Sequence, residues 1–305
     1  MVEVEAVIED HEKLQMEAVT RVYRERCSIL MLMRQLNRLV NALQRHRGVS
    51  LAHLAGDGLF MEDVAQVQAQ VNKRLLVLRN TCDHFDHLIA PREQENIQHS
   101  WNTVCHNWEG DALLENFEYH SFLIEQILNL SAGLARRLEE PLVTASGLTP
   151  GEESKEQERS ALVLPLVCRS VPELIEQLAR IRGLATHSAV VGGCDEEPEK
   201  KLQYWLQCAE RQNRDLIHQI DGIEPSLKAS WKSLSDLKNY ELKLAFFLNT
   251  ITKDIIHGDS SKADARQLFT LGSEIIEAYV EAVDGGISLL QTGLEKELEA
   301  WLVRL

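Results

Sequence analysis

Apolar residues return at every third or fourth position along almost the whole chain, and the alternation expected of strands is nearly absent. That spacing gathers them on one face of an α-helix. In the first long segment Ile29, Met33, Leu36, Val40 and Leu43 form one stripe while Arg34, Arg38 and Arg45 lie elsewhere, which predicts an amphipathic helix over residues 11–47. A second helix is predicted over 61–89, ended by Pro91, and a third through Trp101 to Trp108. Glu109-Gly110-Asp111 then breaks and recaps the chain, and a fourth helix runs to about residue 140.

Residues 141–158 interrupt the pattern: Pro141, Gly147, Pro150 and Gly151 sit among Ser, Thr and Glu, the composition of a linker. Beyond it the pattern predicts a helix with Pro165 and Pro172 near its start that reaches Val191, and another from Glu197 to Ile220. A further helix begins near Pro225, and the last runs from Lys262 to Arg304. Short connections between amphipathic helices favour antiparallel neighbours. The expected fold is therefore all-α, two up-and-down four-helix bundles in series, 1–140 and 159–305, joined by the linker 141–158.

The halves also match in detail. Asn41–Gly58 and Glu176–Gly193 align without gaps and share Leu43/Leu178, Arg45/Arg180, Arg47/Arg182, Gly48/Gly183 and Gly58/Gly193. Ser100-Trp101 is echoed by Ser230-Trp231, both tryptophans being expected in the core. An internal duplication is the reading.

The repeated R-x-R-G carries the candidate chemistry. The stripe Leu36, Val40, Leu43 continues onto Arg47, Leu51 and Leu54, and Val171, Ile175, Leu178 continues onto Arg182, Ala185 and Ala189. Arg47 and Arg182 are thus expected to face the core, and Arg45 and Arg180 to look outward. A guanidinium keeps its proton, so a buried one needs a counter-charge. An internal carboxylate would serve, and Glu115, Glu118 and Glu125 are available. So would a small planar oxyanion such as nitrate, two of whose oxygens the guanidinium fork can meet. Gly48 and Gly183, with no Cβ, permit close approach by a ligand or a helix.

Composition narrows the function. Hydrophobic residues at 44% suit a folded core, and 32 Lys and Arg against 47 Asp and Glu leave a formal charge of −15. Such a surface repels phosphate backbones, so nucleic acid is not an expected partner. The strongest apolar run, Ala161–Cys168, is too short for a membrane span and contains Pro165. Met1–Glu12 is acidic, unlike a signal peptide, and the six cysteines lack C-x-x-C spacing; both suggest a cytoplasmic protein. Neither a G-x-S-x-G elbow nor a phosphate-binding glycine loop occurs, and Cys105-His106 diverge on a helix, so neither an enzyme nor a cofactor is expected. The run Cys82-Asp83-His84-Phe85-Asp86-His87 has helical metal-ligand spacings but lacks the paired Glu-x-x-His of di-iron bundles, and it reads as a wet helix face.

Leu39–Ser50 (LVNALQRHRGVS) resembles the opening motif of the NIT (nitrate- and nitrite-sensing) domain, commonly LV-x-x-LQ-x-ERG-x-S, and Leu178–Thr186 (LARIRGLAT) resembles the family's downstream LRG-type motif. The likeness covers roughly Met31 to Asp284. It implies an all-helical sensor that binds nitrate or nitrite through arginines, here Arg47 and Arg182, with the motif-closing Ser50 and Thr186 beside them. Lys238, in Ser235-Asp-Leu-Lys, is the nearest match to a basic residue of the family's later helix, and His46 stands where Glu is usual. The resemblance also implies a homodimer. NIT proteins often carry an RNA-binding ANTAR module, a chemoreceptor tail or a kinase. With the last helix expected to run almost to Leu305, the output is expected to pass through a separate effector protein. The rival reading is a helical scaffold for protein association whose arginines are paired internally.

Overall fold

The computed structural model describes residues 2–85, 88–148, 155–258 and 263–304. Asp86 and His87 of the histidine-rich run, Lys262 at the expected start of the last helix, and 149–154 of the expected linker lie outside the described residues. The chain is all-α, with no strand among the described residues. Helix α1 spans Val2–Leu54, α2 Met61–His84, α3 Pro91–Cys105 and α4 Leu113–Ala135. The short α5, Leu142–Ala145, lies in the expected linker, and α6 (Lys155–Pro165), α7 (Val171–Val191) and α8 (Glu196–Gly222) follow. Three short helices, α9 (Pro225–Ser230), α10 (Lys232–Asp236) and α11 (Glu241–Thr250), precede the long α12, Ala265–Leu302.

The boundaries follow local chemistry. Pro91 opens α3, where a missing N–H costs nothing, and the Glu93 carboxylate accepts the Ala90 amide (3.1 Å). Gly192, at φ 74°, closes α7, and Asp264 caps α12 by accepting the Gln267 amide (3.0 Å). The helix expected to carry both Pro165 and Pro172 is instead two, α6 and α7, joined by a π turn at Leu166–Ser170. Prolines interrupt the bond ladder, and a wider turn accommodates the break. The helix expected from Pro225 is likewise divided into α9, α10, a 3₁₀ turn at Leu237–Tyr240, α11 and a second π turn at Ile251–Ile256.

Around α1 stand α2 and α4, with α3 against α4; around α7 stand α8 and α12, with α6 against α12. The two central helices, α1 and α7, also pack on each other, and α1 touches α12. The principal apolar core is consequently continuous, joining Leu36 and Leu39 of α1 and Ile124 of α4 to Ile181 of α7 and Ile276 of α12. Both tryptophans of the repeat are buried in it, Trp101 donating to Asn72 Oδ1 (2.8 Å) and Trp231 to the Ala282 carbonyl (2.8 Å). Among the described residues no helix is long and apolar enough to cross a membrane.

Candidate anion site

The two R-x-R-G motifs meet where α1 and α7 touch. A Cβ added at Gly183 would lie 3.8 Å from the Gly48 Cα and 3.2 Å from the tip of Leu51. One added at Gly48 would lie 2.8 Å from the Phe269 ring and 3.5 Å from both Nε and Nη2 of Arg182. The glycines thus let the two backbones approach and let Arg182 turn its Nε–Nη2 edge towards α1.

Each inner arginine then rests in the same cradle. The Arg47 guanidinium lies over the Phe117 ring of α4, 5.1 Å from its centre, and its Nη1 donates to Ser121 Oγ (2.9 Å). The Arg182 guanidinium lies over the Phe269 ring of α12 at 4.7 Å, and its Nη1 donates to Ser273 Oγ (2.9 Å). Each serine donates in turn to the carbonyl of its own phenylalanine one turn back, at 2.8 and 2.7 Å. One turn further come Glu125 and Glu277, so α4 and α12 carry the same Phe-x3-Ser-x3-Glu spacing. That second repeat is visible in the sequence, although its Phe and Ser residues carry no charge that marks them as site residues.

The cradles differ in charge. Arg47 meets the Glu176 carboxylate with both ends of its fork, Nη1 to Oε1 at 2.8 Å and Nη2 to Oε2 at 3.2 Å. Glu176 also accepts from Gln44 Nε2 (2.9 Å) and Arg180 Nε (2.6 Å), and Arg180 Nη2 reaches Glu125 (2.5 Å). Burial alone would raise the Glu176 pKa, but Arg47 and Arg180 outweigh it and hold the carboxyl below its ordinary range. Arg180, expected to look outward, is therefore mostly buried in this network, whereas Arg45 is exposed as expected.

Arg182 has no such partner. Its Nη2 donates to the Gln44 carbonyl (2.8 Å), its Nε has no hydrogen-bond partner, and among the described residues no carboxylate stands within ion-pair distance. Yet it is only 2% exposed. Burial, then the nearby Arg47 and Arg45, push its pKa down to about 9, with Glu176 offsetting a little. One turn along α7 the buried Thr186 hydroxyl also lacks a partner. In the gapless alignment of the motifs the counterpart of Glu176 is Asn41, whose amide donates to Glu277 (3.4 Å). The second copy of the cradle thus lacks its acid.

Of the residues expected at the site, Arg47 and Arg182 meet at this crossing, and Thr186 is buried one turn beyond Arg182 on α7. Ser50 is buried one turn beyond Arg47, its hydroxyl engaged with Asn116 Oδ1 (3.1 Å) and the Arg47 carbonyl (3.1 Å). Lys238 is not brought to them. It lies 45% exposed on the 3₁₀ turn after α10 and is ion-paired with Asp221. Of the acids expected as partners, Glu125 binds Arg180, Glu118 binds Lys201 (2.9 Å) and Glu115 binds Tyr119 (2.8 Å).

His46 departs from the motif and has its own partner. Its Nδ1 lies 2.8 Å from His120 Nε2, and His120 Nδ1 lies 2.8 Å from the Asn116 carbonyl. A carbonyl only accepts, so His120 Nδ1 carries the proton, His120 Nε2 accepts, and His46 Nδ1 donates. Burial keeps both rings neutral: it depresses the His46 pKa to about 4 and that of His120 well below its ordinary value, with His46 and Arg47 adding to the latter. Among the described residues no three His, Cys, Asp or Glu side chains are placed to hold a metal ion.

The chain is similar in fold to the NasR transcription antiterminator. The TM-score is 0.69 at 16% identity, over 97% of this chain and 76% of the other. No protein family and no curated protein matches the chain. At that identity the likeness concerns the fold alone.

Proposed function

We propose that this chain is a cytoplasmic sensor of a small oxyanion, nitrate or nitrite, which regulates a partner protein and has no catalytic activity of its own. One observation carries the reading: Arg182 is a fully buried guanidinium, and among the described residues no carboxylate stands within ion-pair distance of it. A buried cation of this kind is strongly unfavourable unless something supplies the opposite charge. A planar oxyanion fits the unused donors of Arg182, and the Thr186 hydroxyl adds one more. The choice of nitrate or nitrite rests on the motif resemblance, whose two stretches are the ones that meet at the crossing. The fold likeness to a transcription antiterminator is in keeping with a regulatory role.

The scaffold reading is favoured by one contact, the Arg47–Glu176 pair, which is what internally balanced arginines would make. Arg182 speaks against it. An anion there would also relieve the repulsion between Arg182 and Arg47, drawing α1, α7 and α12 together, and that tightening is the proposed signal. A homodimer acting through its outer helices, without contact to nucleic acid, completes the proposal. Calorimetric titration with nitrate, nitrite, chloride and sulfate tests it. Binding of nitrate or nitrite by the wild type and not by Arg182→Ala is expected; indifference of the wild type to all four anions overturns it.

A further inference from the structure

We infer that the molecule takes one monovalent planar oxyanion per chain, at Arg182, and that Glu176 is the built-in equivalent of that anion at Arg47. The inference rests on the oxyanion-sensing reading above and gives it a place, a number and a ligand class.

Three observations carry it. First, the two cradles are made of matching residues: Arg47 with Phe117 and Ser121, Arg182 with Phe269 and Ser273, at nearly identical distances. Second, they differ in a single charge. Glu176 fills the fork of Arg47, and its counterpart in the other motif is the neutral Asn41. Third, the charges of the buried cluster fall one short. Arg47 is matched by the buried Glu176 and Arg180 by Glu125 at the surface, and among the described residues no carboxylate is within ion-pair distance of Arg182.

A carboxylate is itself a planar, monovalent, two-oxygen anion. What the protein has built at Arg47 therefore specifies what Arg182 will accept: nitrate and nitrite, and by the same chemistry a small free carboxylate such as formate, ahead of a spherical chloride or a tetrahedral, divalent sulfate. Glu176 is held by four donors on Arg47, Gln44 and Arg180, so the anion does not displace it. Arg47 is a positioning residue in this arrangement, and Arg182 is the one that touches the ligand.

Position 41 is tied to both of the elements that Arg182 touches. Asn41 sits one turn before Gln44, whose carbonyl Arg182 contacts, and bonds Glu277, one turn beyond the Ser273 that Arg182 also contacts.

The test is the stoichiometry and affinity of nitrate binding, by calorimetry, in the wild type, Asn41→Glu, Asn41→Gln and Glu176→Ala. One nitrate per chain is expected in the wild type. Asn41→Glu, which supplies the missing acid, should bind about tenfold or more weakly and melt at a higher temperature in the absence of nitrate. Asn41→Gln, of the same length but neutral, should behave as the wild type. Glu176→Ala, which strips Arg47 of its carboxylate and vacates its place, should bind two. Should that variant fail to fold, the pair at position 41 decides alone. Two sites in the wild type, or unchanged affinity in Asn41→Glu, would overturn this inference while leaving the sensing reading intact. No binding of nitrate, nitrite or formate to the wild type would overturn both.

Discussion

Arg47 and Arg182 occupy matching positions in one helix crossing, and only Arg47 faces a carboxylate. The proposed function rests on that inequality. A pair of equally balanced arginines would be a structural device, and a pair of equally bare ones would be hard to fold.

Because Glu176 neutralises Arg47 in the core, its loss should be costly. Glu176→Leu strands the Arg47 charge and should lower stability by about 3–5 kcal/mol, whereas Arg47→Met combined with Glu176→Leu should cost clearly less than the single change. Urea unfolding of the three proteins checks this. A double variant that loses the full sum of the two singles would mean that the pair has no coupling.

The histidine pair predicts an acid-sensitive stability. Burial lowers the folded-state pKa of His46 to about 4 from an ordinary 6.5, and that of His120 well below it. The unfolded chain therefore gains protons first as the pH falls. The neutral pair contributes fully above about pH 6.5; the His46 share, about 3 kcal/mol, is lost between there and about pH 4, and the His120 share is lost as the pH falls further. Glu176, whose pKa is depressed, contributes above the ordinary carboxylate range and adds its own loss only at lower pH. Urea midpoints measured from pH 7 to pH 4.5 should fall steadily in the wild type and much less in His46→Gln/His120→Gln. A flat wild-type profile would show that the rings are not held neutral.

The two motif glycines should differ in tolerance. A methyl at Gly48 meets the Phe269 ring at 2.8 Å, and one at Gly183 meets only the flexible end of Leu51 at 3.2 Å. Gly48→Ala should cost about 1–3 kcal/mol and disturb Arg182, and Gly183→Ala should cost less. Thermal unfolding of both would reveal the ranking, and the reverse order would place the tight contact elsewhere.

Much of this was legible in the sequence because helices have a fixed period. The stripe that ran through Leu43 onto Arg47, and through Leu178 onto Arg182, put both arginines inside. Glu176 was not found as a partner, since it lies one stretch away on the Arg182 helix and reaches Arg47 only through the crossing. Arg180 falls off the apolar stripe and so reads as a surface residue, but α7 is packed against α1, α8 and α12, leaving it little open surface. Lys238 rests on the motif resemblance alone, as the nearest match to a basic residue of the family's later helix. After Pro225 the chain folds into short pieces, which leave the lysine at the surface beside Asp221. The repeat Phe-x3-Ser-x3-Glu stands at matching places in both halves and is legible from spacing alone.

The most direct measurement is the thermal midpoint of the wild type and of Arg182→Gln, with and without nitrate, at constant ionic strength set by chloride. Nitrate at about a hundredfold excess over its Kd should stabilise the wild type by about 2.7 kcal/mol, and the midpoint should rise by several degrees. Arg182→Gln, with no charge to balance, should show no rise. An equal rise in both proteins would contradict the claim that the unbalanced Arg182 is what binds the anion.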